Sequence, residues 1–266
     1  MIPKIIHYSW FSGESYPKHI EELMKTWKKH LQDYQFILWD AKKLSELNNT
    51  FANEAISVKK WAFAADFVRV YAVYTYGGIW LDTDVEVFKS FDPFLNDCMF
   101  IGREWYTHNY SPQVCYLTSH CFGAEKGHPF LKDCLDYYSK RHFIRTDNIS
   151  FPECLRFDMT IIPEIQAKLA LSYGYNWLES INIHQFLDNK IHVYPHQFFD
   201  APGYHDMSDV VCIHRATGSW RPNNINRAPD YSFTNPHKKD FVYFVDKIVN
   251  GLLKKIGFQI IRNRAK

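Results

Sequence analysis

Two aspartates that stand one residue apart, Asp82 and Asp84, are the residues of this chain best suited to bind a metal ion. They follow the apolar run Ile79–Leu81, which indicates a short buried strand. Acids just after such a strand lie at the sheet edge where α/β proteins bind ligands. If the chain bends there, both carboxylates approach one hard cation, such as Mg²⁺ or Mn²⁺, that keeps positions open for a phosphate. The pair therefore predicts a metal site, although an isolated D-x-D triplet is also compatible with a solvated turn.

The segment before this motif, Trp61–Tyr76, is typical of a buried helix, because it has no glycine or proline and is apolar nearly all round. Asp66 and Arg69 interrupt it, and their spacing of three places them on one face. Charged side chains are rarely buried without a partner. This face is therefore either a structural ion pair or the wall of a polar cleft, in which Asp66 accepts hydrogen bonds from sugar hydroxyls and Arg69 orients Asp66 or meets a phosphate.

Hydrophobic periodicity places further elements around this motif. It predicts strands over 4–10, 36–39, 100–103, 119–123 and 210–213, and helices over 17–31 and 129–138. Asp40 is placed to cap a short helix, and the strand–helix–strand order indicates the start of a parallel α/β sheet. His214 directly follows the last strand. Residues 141–204 give no clear assignment, and a loop-rich region of this kind is where acceptor selectivity tends to lie.

The composition narrows the class of protein. A chain of 266 residues is long enough for one large domain with a substantial core. A net charge of +2 does not indicate a nucleic-acid partner. Six cysteines without a C-x-x-C pair favour a reduced, cytosolic protein over a disulfide framework. The N-terminus lacks a signal-peptide pattern, and no apolar run reaches the roughly 18 residues of a membrane span.

A longer pattern around the two aspartates resembles a known family. The pattern A-x-x-A-D-x-x-R-x-x-x-x-Y-x-x-G-G-I-x-L-D-x-D is formed by Ala62, Ala65, Asp66, Arg69, Tyr74, Gly77, Gly78, Ile79, Leu81, Asp82 and Asp84. It is similar to the sugar-binding D-x-D region of glycosyltransferase family 32, which includes bacterial capsule and O-antigen transferases and Golgi mannosyltransferases. Clostridial toxin glucosyltransferase domains are similar over the same motif. Segments 2–13 and 214–220 also match, so the resemblance spans residues 2–220.

The resemblance implies an α/β fold of the glycosyltransferase-A type, a Rossmann-like sheet flanked by helices. It implies a metal-dependent enzyme that moves a sugar from a nucleotide-diphosphate sugar, preferably a UDP-sugar, with retention at the anomeric carbon. Mn²⁺ or Mg²⁺ would be held by Asp82, Asp84 and His214. Trp220 would donate its indole N–H to the departing phosphate, with Asp66 and Arg69 also in the catalytic set. We expect the donor to contact Tyr8, Ser9, Trp10, Asp66, Arg69, Trp80, Asp82, Ser219 and Trp220, with Trp10 stacked on the base.

Three of these assignments have competing interpretations. A tryptophan at a strand end, such as Trp10, is usually part of the core. A lone histidine such as His214 is more often a hydrogen-bonded bystander than a ligand. Toxin-like relatives also have an asparagine near the strand that corresponds to Ser119 and His120, and this chain has none there. Sugar contacts at that strand are therefore expected to differ.

We divide the chain into a catalytic domain, 1–237, and a basic amphipathic tail, 238–266, which either packs on the domain or lies on anionic headgroups. Golgi members of the family carry an N-terminal anchor, and its absence predicts a bacterial cytoplasmic enzyme at the inner face of the membrane. The expected acceptor is a capsule or O-antigen oligosaccharide on a lipid carrier. A transferase that modifies a protein, a metal phosphohydrolase and a non-catalytic carbohydrate-binding protein are the alternatives.

Overall fold

The structure is a computed structural model, and it describes residues 1–104, 114–200 and 207–215. Within these ranges the strands are β1 (Ile5–Ser9), β2 (Gln35–Trp39), β3 (Gly78–Leu81), β4 (Val85–Val87), β5 (Met99–Arg103), β6 (Leu117–Ala124), β7 (Gln185–Leu187), β8 (Ile191–Tyr194) and β9 (Cys212–His214). The helices are α1 (Lys18–His30), α2 (Ala41–Glu46), α3 (Thr50–Ser57), α4 (Trp61–Tyr76), α5 (Pro129–Tyr138), α6 (Glu153–Arg156), α7 (Ile162–Ala170) and α8 (His196–Phe199).

Seven strands form one mixed sheet in the order β2-β1-β3-β6-β5-β8-β7. β1 pairs in parallel with both β2 and β3, so these three strands end at the same edge of the sheet, as the strand–helix–strand order predicted. β6 runs antiparallel to β3 and β5, which makes the sheet mixed. This confirms the predicted α/β class, with a sheet flanked by helices.

The core lies on both faces of this sheet, which explains why β3 is apolar throughout. Side chains alternate between the faces of a strand. Trp80 therefore packs in one buried cluster with the apolar residues of α4. Ile79 and Leu81 pack in the opposite cluster with Trp27 of α1. A strand buried on both faces is fixed in position, and so are the acids that follow it.

The helix ends agree with the local signals in the sequence. The Asp40 side chain accepts a 2.8 Å hydrogen bond from the Lys43 backbone N–H and caps α2, as predicted. Gly77 and Gly78 follow α4 with φ values of +69° and +106°. A Cβ on Gly78 would lie 2.7 Å from the carbonyl oxygen of Ile5. Gly77 thus ends the helix, and Gly78 is required by the close approach of β1.

Some segments of the chain were left unassigned by the sequence, and others lie outside the described residues. Residues 141–204, which the sequence left unassigned, contain α6, α7, α8, β7 and β8. The amphipathic tail 238–266 lies outside the described residues, as do Ser219 and Trp220. Among the helices that the structure does describe, none combines the length and the apolar composition needed to cross a membrane.

Candidate metal and donor site

The two aspartates converge because the chain turns immediately after β3. The backbone N–H of Val85, where β4 begins, donates a 3.0 Å hydrogen bond to the carbonyl of Asp82. The N–H of Asp82 donates in turn to the carbonyl of His120 on β6, at 2.9 Å. The first residue of the turn is therefore tied to the sheet, and Asp84 folds back beside Asp82. This is the bend that the sequence analysis required for a shared cation.

A third candidate ligand, His214, comes from the far end of the described chain. β9 pairs antiparallel with β4 and sets His214 opposite Val85. His214 Nε2 lies 3.2 Å from Asp84 Oδ1. One ligand atom from each of Asp82, Asp84 and His214 lies within 4.8 Å of the others. The structure thus brings together all three residues that were predicted to hold the metal.

The chemistry of this cluster fits the implied ion. Two carboxylate oxygens and one imidazole nitrogen suit Mn²⁺, and the carboxylates also suit Mg²⁺. The three side chains are 22%, 13% and 25% exposed, in the order Asp82, Asp84, His214, so the ion would be reachable by a substrate phosphate. A metal bound by three protein ligands keeps open positions, as a catalytic ion must.

The acids also control the charge of the histidine. Burial has the largest single effect on His214 and lowers its pKa, whereas the charge of the Asp84 carboxylate and its hydrogen bond to the ring raise it. With smaller contributions from Asp82 and Asp200, the pKa of His214 is raised to about 9. Without metal, the imidazolium therefore takes the place of a cation against Asp84. A metal ion has to displace that proton to bind.

Arg69 connects the helix face to the acidic turn. Its Nη2 lies 3.1 Å from Asp66 Oδ1 and 3.4 Å from Asp82 Oδ1. Its Nη1 donates a 2.8 Å hydrogen bond to the carbonyl of Ser119. Asp66 and Arg69 therefore form an ion pair that extends to Asp82, and the structure does not decide between the two interpretations of this helix face. Of the two roles predicted for Arg69, these contacts support the orientation of Asp66 over a phosphate contact.

Asp66 is buried and sits against the start of another helix. Burial raises the pKa of its carboxyl to about 7, Arg69 opposes the rise, and the Asp82 charge adds to it. A hydrogen bond from the backbone N–H of Ile162, the first residue of α7, also favours the ionised form. Asp66 is thus held on two sides. Its predicted contact with sugar hydroxyls stays a prediction.

Trp80 requires a correction. We predicted that it contacts the donor, but its side chain has no exposed surface, because β3 is covered on both faces. Its indole Nε1 donates a 2.7 Å hydrogen bond to Asp82 Oδ1. Trp80 therefore acts on the site by orienting Asp82, without touching the donor in this arrangement.

Tyr8, Ser9 and Trp10 lie at the end of β1, beside the end of β3. Trp10 is only half-buried, which argues against the alternative that it is a core residue. Its Nε1 donates to the carbonyl of Glu14 at 2.7 Å, and its ring centroid lies 4.9 Å from that of Tyr16. The ring is therefore held at the ligand edge of the sheet. Its stacking on a nucleotide base stays a prediction.

Two contacts at the site were not foreseen. Arg215, which directly follows His214, forms an ion pair with Glu86 on β4. His120 is fully buried on β6, and its ring stacks on that of His214. The sequence offers one signal for His120, since a polar ring in an otherwise buried strand needs a partner. It does not reveal which partner.

Comparison with known proteins finds similarity to glycosyltransferases over the first half of the chain. Residues 17–101 match the family model described as a glycosyltransferase sugar-binding region containing a DXD motif. Over 134 residues the chain is 33% identical to inositol phosphoceramide mannosyltransferase 3 of Schizosaccharomyces pombe. The aligned region covers 49% of this chain and 35% of that relative. Over 150 residues it is 27% identical to inositol phosphoceramide mannosyltransferase 1 of the same yeast. That alignment covers 52% of this chain and 43% of the relative.

Among solved structures, the PaToxG glycosyltransferase aligns with a TM-score of 0.44 and 18% identity, over 64% of this chain and 69% of that one. The chain spans less than half the length of the two curated yeast relatives. The segment matched by the family model nevertheless contains Asp66, Arg69, Asp82 and Asp84. Residues 17–101 are therefore similar to the sugar-binding region of glycosyltransferases that contain a DXD motif.

Proposed function

We propose that this chain is a metal-dependent glycosyltransferase that moves a sugar from a nucleotide-diphosphate sugar to an acceptor hydroxyl. The observation that carries the proposal is the convergence of Asp82, Asp84 and His214 within 4.8 Å. This cluster follows β3 at the edge where β1 also ends, which is the ligand edge of an α/β sheet. Asp66 and Arg69 lie beside it, in the segment that matches the family model.

The bound cation would supply charge neutralisation of the diphosphate leaving group. The residues of the chain then have separate tasks. Asp66 accepts hydrogen bonds from the donor sugar, Arg69 fixes the carboxylates of Asp66 and Asp82, and Trp10 stacks on the base. The resemblance to family 32 supports retention at the anomeric carbon. In a same-face displacement the departing phosphate takes the acceptor proton, so that no protein base is needed.

We further propose that the acceptor is carried by a lipid. The sequence resemblance supports a capsule or O-antigen oligosaccharide on a lipid carrier. The names of the two yeast relatives describe mannosyl transfer to inositol phosphoceramide, so a sphingolipid acceptor and GDP-mannose belong in the test beside UDP-sugars. Such an acceptor would bring the enzyme to the cytoplasmic face of a membrane, where the tail 238–266 is our candidate for contact with anionic lipids.

The proposal is tested by incubating the chain with a panel of UDP- and GDP-sugars in Mn²⁺ or Mg²⁺ and measuring the slow hydrolysis of the donor. We expect one donor to be hydrolysed, and EDTA or Asp84→Ala to remove essentially all turnover. Asp136→Ala is the matched control, because Asp136 is exposed on α5 and pairs only with Lys132 in the contacts described. Full turnover in EDTA would refute the metal assignment. Donor or sugar binding without hydrolysis of any donor would favour a carbohydrate-binding protein.

The acceptor class is separated in a second experiment. Radiolabelled donor is incubated with the chain and a membrane extract, and the label is followed into lipid and protein fractions. Label in the lipid fraction supports the proposed acceptor. Label in protein would instead support the alternative of a protein-modifying transferase.

A further inference from the structure

His120 contacts both the acidic turn at Asp82 and the side chain of His214 in the candidate metal site. It lies in the middle of β6 and is 2% exposed, so its contacts are all internal. Its carbonyl accepts the N–H of Asp82, which fixes the start of the acidic turn. Its ring lies parallel to that of His214, with 4.5 Å between the centroids and 19° between the planes. The same residue thus contacts the backbone of one predicted ligand and the side chain of another.

The ring of His120 is itself held in a defined orientation. Its Nε2 lies 2.9 Å from the carbonyl oxygen of Phe199. A carbonyl only accepts hydrogen bonds, so Nε2 carries the proton. The flat face of the ring is thereby kept against His214.

The His214 side chain needs a neighbour that fixes its orientation, because its own strand is short. β9 has three residues and pairs with β4 alone in the part of the chain that the structure describes. An imidazole at the end of so short a strand is free to rotate about its side-chain bonds unless a neighbour packs against it. The flat face of His120 restricts that rotation while Nε2 of His214 points to Asp84 at 3.2 Å. The supporting neighbours of a metal ligand commonly change metal affinity by 10- to 100-fold.

We propose that His120 is a positioning residue of the metal site, which fixes the imidazole of His214 by stacking and the turn at Asp82 through its carbonyl. The inference rests on the proposed function in that it takes Asp82, Asp84 and His214 as the ligands. It goes further by assigning a task to a side chain that does not itself bind the ion. The side chain acts on His214, and the carbonyl contact persists in any substitution.

The experiment measures Mn²⁺ affinity of the full chain from the paramagnetic resonance signal of free Mn²⁺, without any donor. His120→Ala removes the stacking ring, and we expect its affinity to fall by about tenfold. His120→Phe keeps a flat ring but loses the bond to Phe199, and it should recover most of the affinity. His120→Gln can keep a bond to that carbonyl without a ring, and it should bind Mn²⁺ as weakly as the alanine variant.

A second readout separates positioning from general stability. Thermal denaturation of all three variants reports loss of packing, whereas the nitrogen chemical shifts of His214 report its orientation and its ion pair with Asp84. The inference is overturned if His120→Ala and His120→Gln bind Mn²⁺ as tightly as the unaltered chain. It is also overturned if His120→Gln binds Mn²⁺ as tightly as His120→Phe. If the variant His120→Ala does not fold, the comparison of Phe with Gln still decides. Failure of the unaltered chain to bind Mn²⁺ would instead refute the proposed function.

Discussion

The indole nitrogen of Trp80 donates a 2.7 Å hydrogen bond to Oδ1 of Asp82, so a fully buried ring orients a carboxylate at the rim of the site. Arg69 approaches the same carboxylate at 3.4 Å and places its guanidinium 5.6 Å from the Trp80 ring. Asp82 is therefore held in position before any ligand binds. A site fixed in advance loses less conformational freedom on binding.

This contact can be removed while the packing is kept. Trp80→Phe retains an apolar ring in the core but has no N–H to donate, so the carboxylate of Asp82 is held by Arg69 alone. The backbone hydrogen bonds of Asp82 to His120 and Val85 remain, and only the carboxylate loses a contact. We expect Mn²⁺ affinity to fall by about tenfold, within the range seen for supporting residues of metal ligands. The control is Trp39→Phe, which removes a buried indole hydrogen bond of 3.3 Å to His7, away from the carboxylates. Equal losses of Mn²⁺ affinity in the two variants would contradict the role assigned to Trp80.

Metal binding should release a proton, because the pKa of His214 is raised to about 9 in the metal-free chain. At pH 7 the imidazole is mostly protonated, and a ligand to the ion has to be neutral. Mn²⁺ affinity should therefore increase as the pH rises towards 9. Calorimetric titrations in buffers of different ionisation enthalpy should give close to one proton released at pH 7. His214→Gln removes the titrating group, and proton release that persists in this variant would show another source.

The raised pKa of Asp66 predicts that the stability of the fold depends on pH. Its pKa is raised from 3.8 to about 7, so between those values the folded state binds more protons than the unfolded state. Stability should then fall as the pH rises through this window. Asp66→Asn, which does not titrate, lacks this contribution. Between pH 5 and 7.5, we expect the unaltered chain to lose about 2 kcal/mol more of its unfolding free energy than the variant.

Urea denaturation at the two pH values measures this difference. Asp136→Asn serves as the control, since this exposed side chain on α5 should keep the pH dependence of the unaltered chain. The same pH dependence in Asp66→Asn as in the unaltered chain would mean that Asp66 is ionised in the folded state throughout the range.

Trp10 should contribute to donor binding more than to folding. Base stacking on an aromatic side chain is worth roughly 1–3 kcal/mol, and Trp10→Ala should weaken donor binding by that amount. Because Trp10 is only half-buried, the melting temperature should change little. Trp10→Phe keeps a stacking face and should recover part of the affinity in a fluorescence titration with the nucleotide. Unchanged donor affinity together with a large drop in melting temperature would show a purely structural role.

The sequence was sufficient where the signals are local. The helix Trp61–Tyr76, the glycines after it and the bend between Asp82 and Asp84 each depend on a few neighbouring residues, and the structure has them as expected. The pairing of Asp66 with Arg69 was also predictable, because helical spacing sets it. His214 required the family resemblance, since nothing in its own neighbourhood points to residues near Asp84.

The unforeseen contacts are those between segments distant in sequence. The stacking of His120 on His214 depends on β4 pairing with β9 while β3 pairs with β6. Periodicity predicts that a strand exists but not which strand it pairs with. Trp80 was misassigned for the same reason, because only the covering of both faces of β3 shows that its ring cannot reach a ligand.

The distribution of the three predicted metal ligands along the chain has a consequence for assembly. Asp82 and Asp84 lie in the segment that the family model matches, whereas His214 follows 130 residues after Asp84. A nascent or truncated chain that ends before β9 would hold the ion with two carboxylates alone. High-affinity capture of the ion would therefore begin only once β9 has docked on β4. Metal binding would then depend on the pairing of β9 with β4 as well as on the acidic turn after β3.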